Sequence, residues 1–304
     1  MPGGWRILDC SALEGRISYQ RGQVKVRPDG GEERTVPLAD VAVVLLGLKV
    51  SIGAAVLHQF AQFDVVTLVC NWTGVPVSAV SPWSAHSRVG ARQLAQASAS
   101  IPSKKNAWGN IVRAKIAGQQ ANLKELRRPA AKTLVDIRKS VRSGDPDNCE
   151  ARAAKAYWPQ LFGDGERFYR NPGAGSGRNG LLDYGYTVLR GHAIRAVMEA
   201  GLAPALGLFH RGRSNPFNLA DDLIEPFRPV VDWTVAQLPA DASPNHPSVK
   251  RALVSASSQP FTESGYSAAT EMTNLAQQLG RYFEGDVTKL QVLQWNPSVV
   301  NEHD

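Results

Sequence analysis

From Gly207 to Trp233 the chain reads GLFHRGRSNPFNLADDLIEPFRPVVDW, a segment carrying one imidazole, His210, and two acids three residues apart, Asp222 and Glu225. Residues three apart on a helix share a face, so the two carboxylates can converge on one point, and a histidine on the preceding loop can reach it. A further acid, Glu150, stands in DPDNCEARAAKAYW. Several carboxylates with one imidazole make a mostly hard oxygen donor set, which suits Mg²⁺ or Mn²⁺ better than zinc. A metal in such a set polarises a phosphoryl oxygen, activates an attacking hydroxyl and stabilises the leaving oxygen.

Each of these residues also has a purely structural reading. Asp147 and Glu150 have the spacing of a capping box, which places Glu150 in the first turn of a helix. His210 alone reads as a hydrogen-bonded core histidine, and Asp222 with Glu225 as a solvated flank. Asn218 reads as the N-cap of a helix whose apolar face is Leu219, Leu223, Pro226 and Val230. Pro226 breaks that helix directly after Glu225, because proline removes a hydrogen bond and clashes one turn back. A kink at that point is easier to understand if the segment is shaped around something.

Charge points to the substrate class. Between Ser84 and Gly144 there are thirteen Lys or Arg and two acids, Glu125 and Asp136, a local net of +11 against +7 for the whole chain. A concentrated basic region lacking interleaved acids is the footprint of a polyanion partner.

The elements that must position these residues fall into two halves. Up to about Pro82 the pattern is β, with WRILDC, GRISYQ and QVKVRP as short strands, PDGGEE as a hairpin turn, and DVAVVLLG and DVVTLVCNW as buried strands. SIGAAVLHQFAQF between the last two has helical spacing, and His58 in it reads as packed or capping. After SPWSAHS the period is helical through six Ala- and Leu-rich segments. Strands first and helices afterwards, without βαβ alternation, predict an α+β protein. The expectation is a small β-sandwich-like domain over 1–83 and a larger all-α catalytic domain over 84–304. The Gly- and Ser-rich stretch at 171–180 reads as a mobile loop.

Composition limits the setting. Hydrophobic residues are 43% and charged residues 20%, as in a globular chain. The start lacks a signal-peptide pattern, and no stretch approaches the length of a membrane span. Three cysteines without CxxC spacing argue for a reducing compartment and against structural zinc. The expected location is the cytoplasm.

The blocks EARAAKAYW (150–158), LAPALGLFH (202–210) and FNLADDLIEPFRPVVD (217–232), with RNGLLDYGYTVLRG (178–191), resemble the signature blocks of the universal CRISPR-associated endonuclease, the integrase of spacer acquisition. Chain length and NPFNLADDLIEPFRP resemble its short type II branch. The resemblance implies a metal on Glu150, His210 and Glu225, with Asp222 as an accessory acid. It further implies a homodimer that joins a small ferredoxin-like companion Cas protein and grips double-stranded DNA. The prespacer 3′-hydroxyl would attack a phosphodiester at the edge of a CRISPR repeat. The basic helices from Arg88 to Arg142, Lys104, Lys105, Arg127 and Arg128 among them, would hold phosphates, with Arg167, Arg170 and Arg178 as additions. Departures from the family pattern are Ala151 for a common Gly, Lys155 as the basic residue of its block, and Asp183 for an Asn. Two other readings remain open: a metal-dependent nuclease of DNA repair, and a non-enzymatic helical DNA-binding protein.

Overall fold

The computed structural model describes residues 6–72, 74, 76–80, 82, 86–162 and 168–301. The expected domain boundary at residue 83, and Arg167, lie outside the described residues.

The N-terminal part holds two four-stranded sheets. One has the order β1 (Arg6–Cys10), β5 (Val41–Leu46), β7 (Val66–Cys70), β8 (Pro76–Val80). The other has the order β4 (Arg34–Pro37), β3 (Gln23–Pro28), β2 (Gly15–Gln20), β6 (Val50–Ile52). All six residues of β5 are buried, since the strand is covered on both faces, and such a strand reads as a continuous apolar run rather than an alternating one. Val44 and Leu46 join the core under the second sheet. Ala42, Val43 and Leu45 join the helical core. Helix α1 (Ala54–Gln62) connects β5 to β7, which lie parallel, so this region contains one βαβ crossover that the strands-then-helices pattern did not lead one to expect. His58 on α1 is exposed rather than packed.

Helices follow: α2 (Val89–Ser98), α3 (Ile101–Glu125), α4 (Ala130–Ser140), α5 (Cys149–Leu161), α6 (Gly177–Glu199), α7 (Asn218–Leu223), α8 (Arg228–Gln237), α9 (Pro247–Ser255) and α10 (Ala268–Glu284). The α+β architecture expected from the sequence is the one observed. Among the described residues no helix is long and apolar enough to cross a membrane.

Helix α3 runs through the middle. Ser100 caps it by accepting from the Ser103 amide, Pro102 occupies its first turn, and Trp108, Ile111, Ile116 and Leu123 are buried. Helix α6 packs against both the sheet and α8. It approaches α8 so closely that a Cβ on Gly185 would lie 2.4 Å from a methyl of Val231, which explains the glycine in LLDYGY. The stretch at 171–180 is only partly loop, because α6 begins at Gly177. The loop is tied down: Asp183 pairs with Arg170 and accepts from the Gly173 amide at 2.8 Å.

Beneath the junction of α5, α6 and α8 lies a buried polar cluster. The Tyr157 hydroxyl donates to Asp232 at 3.0 Å, Tyr186 donates to the other carboxylate oxygen, and the Asn122 amide donates to Tyr157 at 3.0 Å. Burial pushes the Asp232 carboxyl up to about 6, against the two tyrosine hydrogen bonds and the charge of Arg228, which pull it down. A carboxyl whose folded pKa is raised contributes stability that is complete below its unfolded pKa and is lost as pH rises through about 6. Asp232→Asn removes this titration. Its stability relative to wild type is therefore expected to improve between pH 4 and pH 7 by on the order of 3 kcal/mol. Thermal melts across that range check this, and a difference that does not change with pH contradicts it.

Candidate active site

The segment that opens at Gly207 is interrupted near the proline, but the break comes before Glu225 rather than directly after it. Helix α7 stops at Leu223, Glu225–Phe227 forms a 3₁₀ turn with Pro226 inside it, and α8 restarts at Arg228. Tightening the backbone here turns Glu225 inward. Asp222 is fully buried and Glu225 nearly so, where a solvated flank would leave both in water. Asn218 is not the N-cap. Its side chain bonds the Ala205, Gly212 and Asn215 carbonyls and the Gly212 amide, and so holds the preceding loop in place.

Asp222 organises that loop. One oxygen accepts from the Leu208 and Phe209 amides at 2.6 and 3.2 Å, and the other from the His210 amide at 3.1 Å, with Nδ1 of the His210 ring 2.7 Å from it. All of these groups seek an acceptor, which one ionised carboxylate supplies in full. The hydrogen bond to Asp222 raises the His210 pKa, against partial burial, and occupies Nδ1, which leaves Nε2 as the ring nitrogen for a ligand. A Cβ at Gly207 would lie 2.8 Å from Asp222 and 2.4 Å from the His210 carbonyl, so only glycine fits under this turn. Phe209 stacks flat on Trp108 of α3, with ring centroids 4.5 Å apart, and the His210 ring stands edge-on to the same indole at 6.0 Å.

Glu150 sits in the first turn of α5, as expected, but by a different cap. Asp145 accepts from the Cys149 and Glu150 amides at 2.8 and 3.0 Å. Asp147, the expected capping residue, is taken by Arg142. Glu150 is thus free of capping duty and faces α3.

Between Glu150 and Glu225 stands a residue that the sequence did not single out. Nζ of Lys115, on α3, donates to Oε1 of Glu150 at 2.6 Å and lies 2.5 Å from Oε2 of Glu225, an ionic contact without hydrogen-bond alignment. Arg228 holds the other oxygen of Glu225 at 2.8 Å and lies over the Tyr186 ring at 4.4 Å. Burial by itself would raise the Glu225 pKa. The charges of Arg228 and Lys115 outweigh it and hold this carboxyl below the usual range. Lys115 is held protonated in the same way: burial disfavours the ammonium, and Glu225 and Glu150 more than compensate. Trp108, Lys115 and Asn122 are seven apart, two helical turns, so one stripe of α3 braces the histidine loop, the carboxylates and the tyrosine cluster in turn. That spacing was the available signal. Arg228 carried a weaker one, lying three residues past Glu225.

Lys115 thus links Glu150 to Glu225, His210 lies close enough to Glu225 for their charges to interact, and Asp222 stands behind the histidine. Among the described residues no three His, Cys, Asp or Glu side chains are drawn close enough to share an ion. The donor set nevertheless suits a cation, since an ammonium already lies between the two glutamates. Beside His210 opens a cavity of about 370 Å³ lined by Lys104, Arg211, Arg213 and Asn215.

The predicted DNA contacts divide. Lys104 lines this cavity, and Lys105 and Arg127 are exposed on the surface. Arg128 is half-buried. Arg170 is committed to Asn179 and Asp183, with a side chain only 13% exposed, and Arg178 packs over Phe162 at 4.3 Å. Both serve the loop and α6 in this conformation. Within the basic region, Arg88 and Arg92 end on Glu284.

Comparison with known proteins shows the family and the fold. The family model described as "CRISPR associated protein Cas1" matches residues 12–244. The CRISPR-associated endonuclease Cas1 of Neisseria meningitidis serogroup C (strain 8013) is 41% identical over 77% of this chain and 76% of its own length. The CRISPR-associated endonuclease Cas1 2 of Pyrobaculum aerophilum is 29% identical over 73% and 79%. Among solved structures, a casposase bound to integration product superposes with a TM-score of 0.74 at 18% identity, covering 94% of this chain and 92% of that one. A CAS1 protein from Thermotoga maritima superposes with 0.71 at 17% identity, covering 92% and 97%. These last two establish the shared fold. The extent of the family match and the 41% identity carry the assignment: the chain belongs to the Cas1 family of CRISPR-associated endonucleases.

Proposed function

We propose that this protein is a divalent-metal-dependent integrase of spacer acquisition, with Glu150, His210 and Glu225 as ligands for Mg²⁺ or Mn²⁺ and Asp222 as the acid that positions His210. The observation that carries the reading is the convergence of Glu150 and Glu225, from elements far apart in the chain, on a single cationic seat beside an imidazole oriented by a buried carboxylate. A divalent ion held there supplies Lewis acidity toward a phosphoryl oxygen and stabilises charge on the attacking and leaving oxygens. Asp222 fixes the tautomer and aim of the His210 ring. Arg228 keeps Glu225 ionised and in place. Lys104, Arg211 and Arg213 around the neighbouring cavity bind phosphates and present the scissile bond to the centre. Exposed lysines and arginines of α3 and of the turn after it extend the backbone contact without reading sequence.

The proposed assembly is a homodimer acting on prespacer and repeat duplexes with a small ferredoxin-like companion Cas protein. Two fold relatives are in keeping with it: a casposase bound to integration product and a Cas6-RT-Cas1–Cas2 complex, the latter with a TM-score of 0.72. The test is a joining assay with a repeat-containing duplex and labelled prespacers ending in 3′-hydroxyl or 3′-phosphate. Joining is expected only with the 3′-hydroxyl and only with Mg²⁺ or Mn²⁺, and a chelator is expected to stop it. Nicking without joining would favour a repair nuclease. Duplex binding with neither reaction would favour a non-enzymatic module.

A further inference from the structure

One group in the centre has the wrong charge for a metal ligand. Lys115 extends from α3 with its side chain 13% exposed, and its Nζ lies within 2.6 Å of oxygens from both Glu150 and Glu225. A divalent ion held by the same two carboxylates would bind their oxygens at about 2.0–2.1 Å, so it and this ammonium could not occupy the seat together.

Charge leads to the same result. Glu150 and Glu225 are matched one for one by Lys115 and Arg228. An ion of charge +2 added to these pairs would leave positive charge in excess among half-buried and buried groups, even with Asp232 beside Arg228 counted. One cation therefore has to move. Arg228 is fixed on two sides, by the outer oxygen of Glu225 and by the Tyr186 ring beneath it. Lys115 ends in a compact charge on a flexible stem, and among the described residues no aromatic ring holds it. It is the one able to leave.

Resting on the metal-centre reading above, we propose that Lys115 is a resident counter-cation that competes with the divalent ion: its ammonium bridges Glu150 and Glu225 until metal binding displaces it. The site is thereby kept folded and paired before loading, and its affinity for metal is set lower than the ligands alone would give. Lys115 is a positioning residue in this scheme, acting through the two glutamates.

The experiment uses the full chain with Mn²⁺ as the probe. Free Mn²⁺ is measured by electron paramagnetic resonance for wild type, Lys115→Met and Glu225→Gln. Wild type is expected to bind saturably and Lys115→Met to bind about tenfold more tightly or better, within the range by which groups around a metal site tune affinity. In parallel, reductive methylation of wild type read by peptide mass reports on the ammonium. Lys115 is expected to be protected without Mn²⁺ and labelled once Mn²⁺ saturates the site. Equal or weaker binding by Lys115→Met, or Lys115 protected at saturating Mn²⁺, would overturn the proposal while the metal centre stands. Glu225→Gln binding Mn²⁺ as well as wild type does would overturn the metal centre itself, and the proposal with it. If Lys115→Met does not fold, the labelling of wild type decides alone.

Discussion

Glu225→Ala is expected to abolish strand transfer, by a factor on the order of 10³ or more, at every Mn²⁺ concentration the protein tolerates. The carboxylate faces the cationic seat directly and has no substitute nearby. Removing a group that binds in the transition state lowers the rate by the whole of its contribution. Glu150→Ala and His210→Ala are expected to behave alike in the joining assay but to differ in stability. Glu225 is 5% exposed and neutralises Arg228 while sharing Lys115 with Glu150, so its loss strands the buried Arg228 and should lower stability by roughly 3–5 kcal/mol. Glu150 is 25% exposed and leaves Lys115 a second partner, and His210 is 41% exposed. Those two variants should melt close to wild type. Near wild-type joining by any of the three, in protein shown to be folded, would remove that residue from the centre.

The second large effect separates the acids of the DDLIE run. Asp222 makes no contact with the cationic seat. Its oxygens are consumed by three backbone amides and the His210 ring. Asparagine offers one acceptor oxygen and turns an NH₂ group toward donors. Asp222→Asn should therefore loosen residues 208–210 and misaim the imidazole while leaving Glu150 and Glu225 in place. The expected loss of joining is ~10–100-fold, the range for groups that orient ligands, and raising Mn²⁺ should recover part of it. A Mn²⁺ titration of Asp222→Asn beside Glu225→Ala tests the pair. If Asp222→Asn stays inactive and Glu225→Ala is rescued, the two roles are exchanged.

What the sequence determined by itself was local. The period of each segment reported its element, because a helix or strand buries one face at its own repeat. All six helical segments fall on helices, with α3 starting at Ile101, well before the segment that announced it. Pro226 announced an interruption of the helix, since its ring forbids an uninterrupted one. The types of the acids and the imidazole, and the basic bias of residues 84–144, were equally plain. Tertiary structure decided what no short window contains. It chose Asp145 over Asp147 as the cap of α5, because Arg142 claims Asp147. It routed α1 across as a parallel crossover. It turned Arg170 inward to Asp183. Above all it brought Lys115 to Glu225, and Glu150 to Lys115. Ion pairs between residues 35 or 110 positions apart leave no periodicity, so only the packing of α3 against α5 and the Glu225 turn could set them, and with them the charge at the centre.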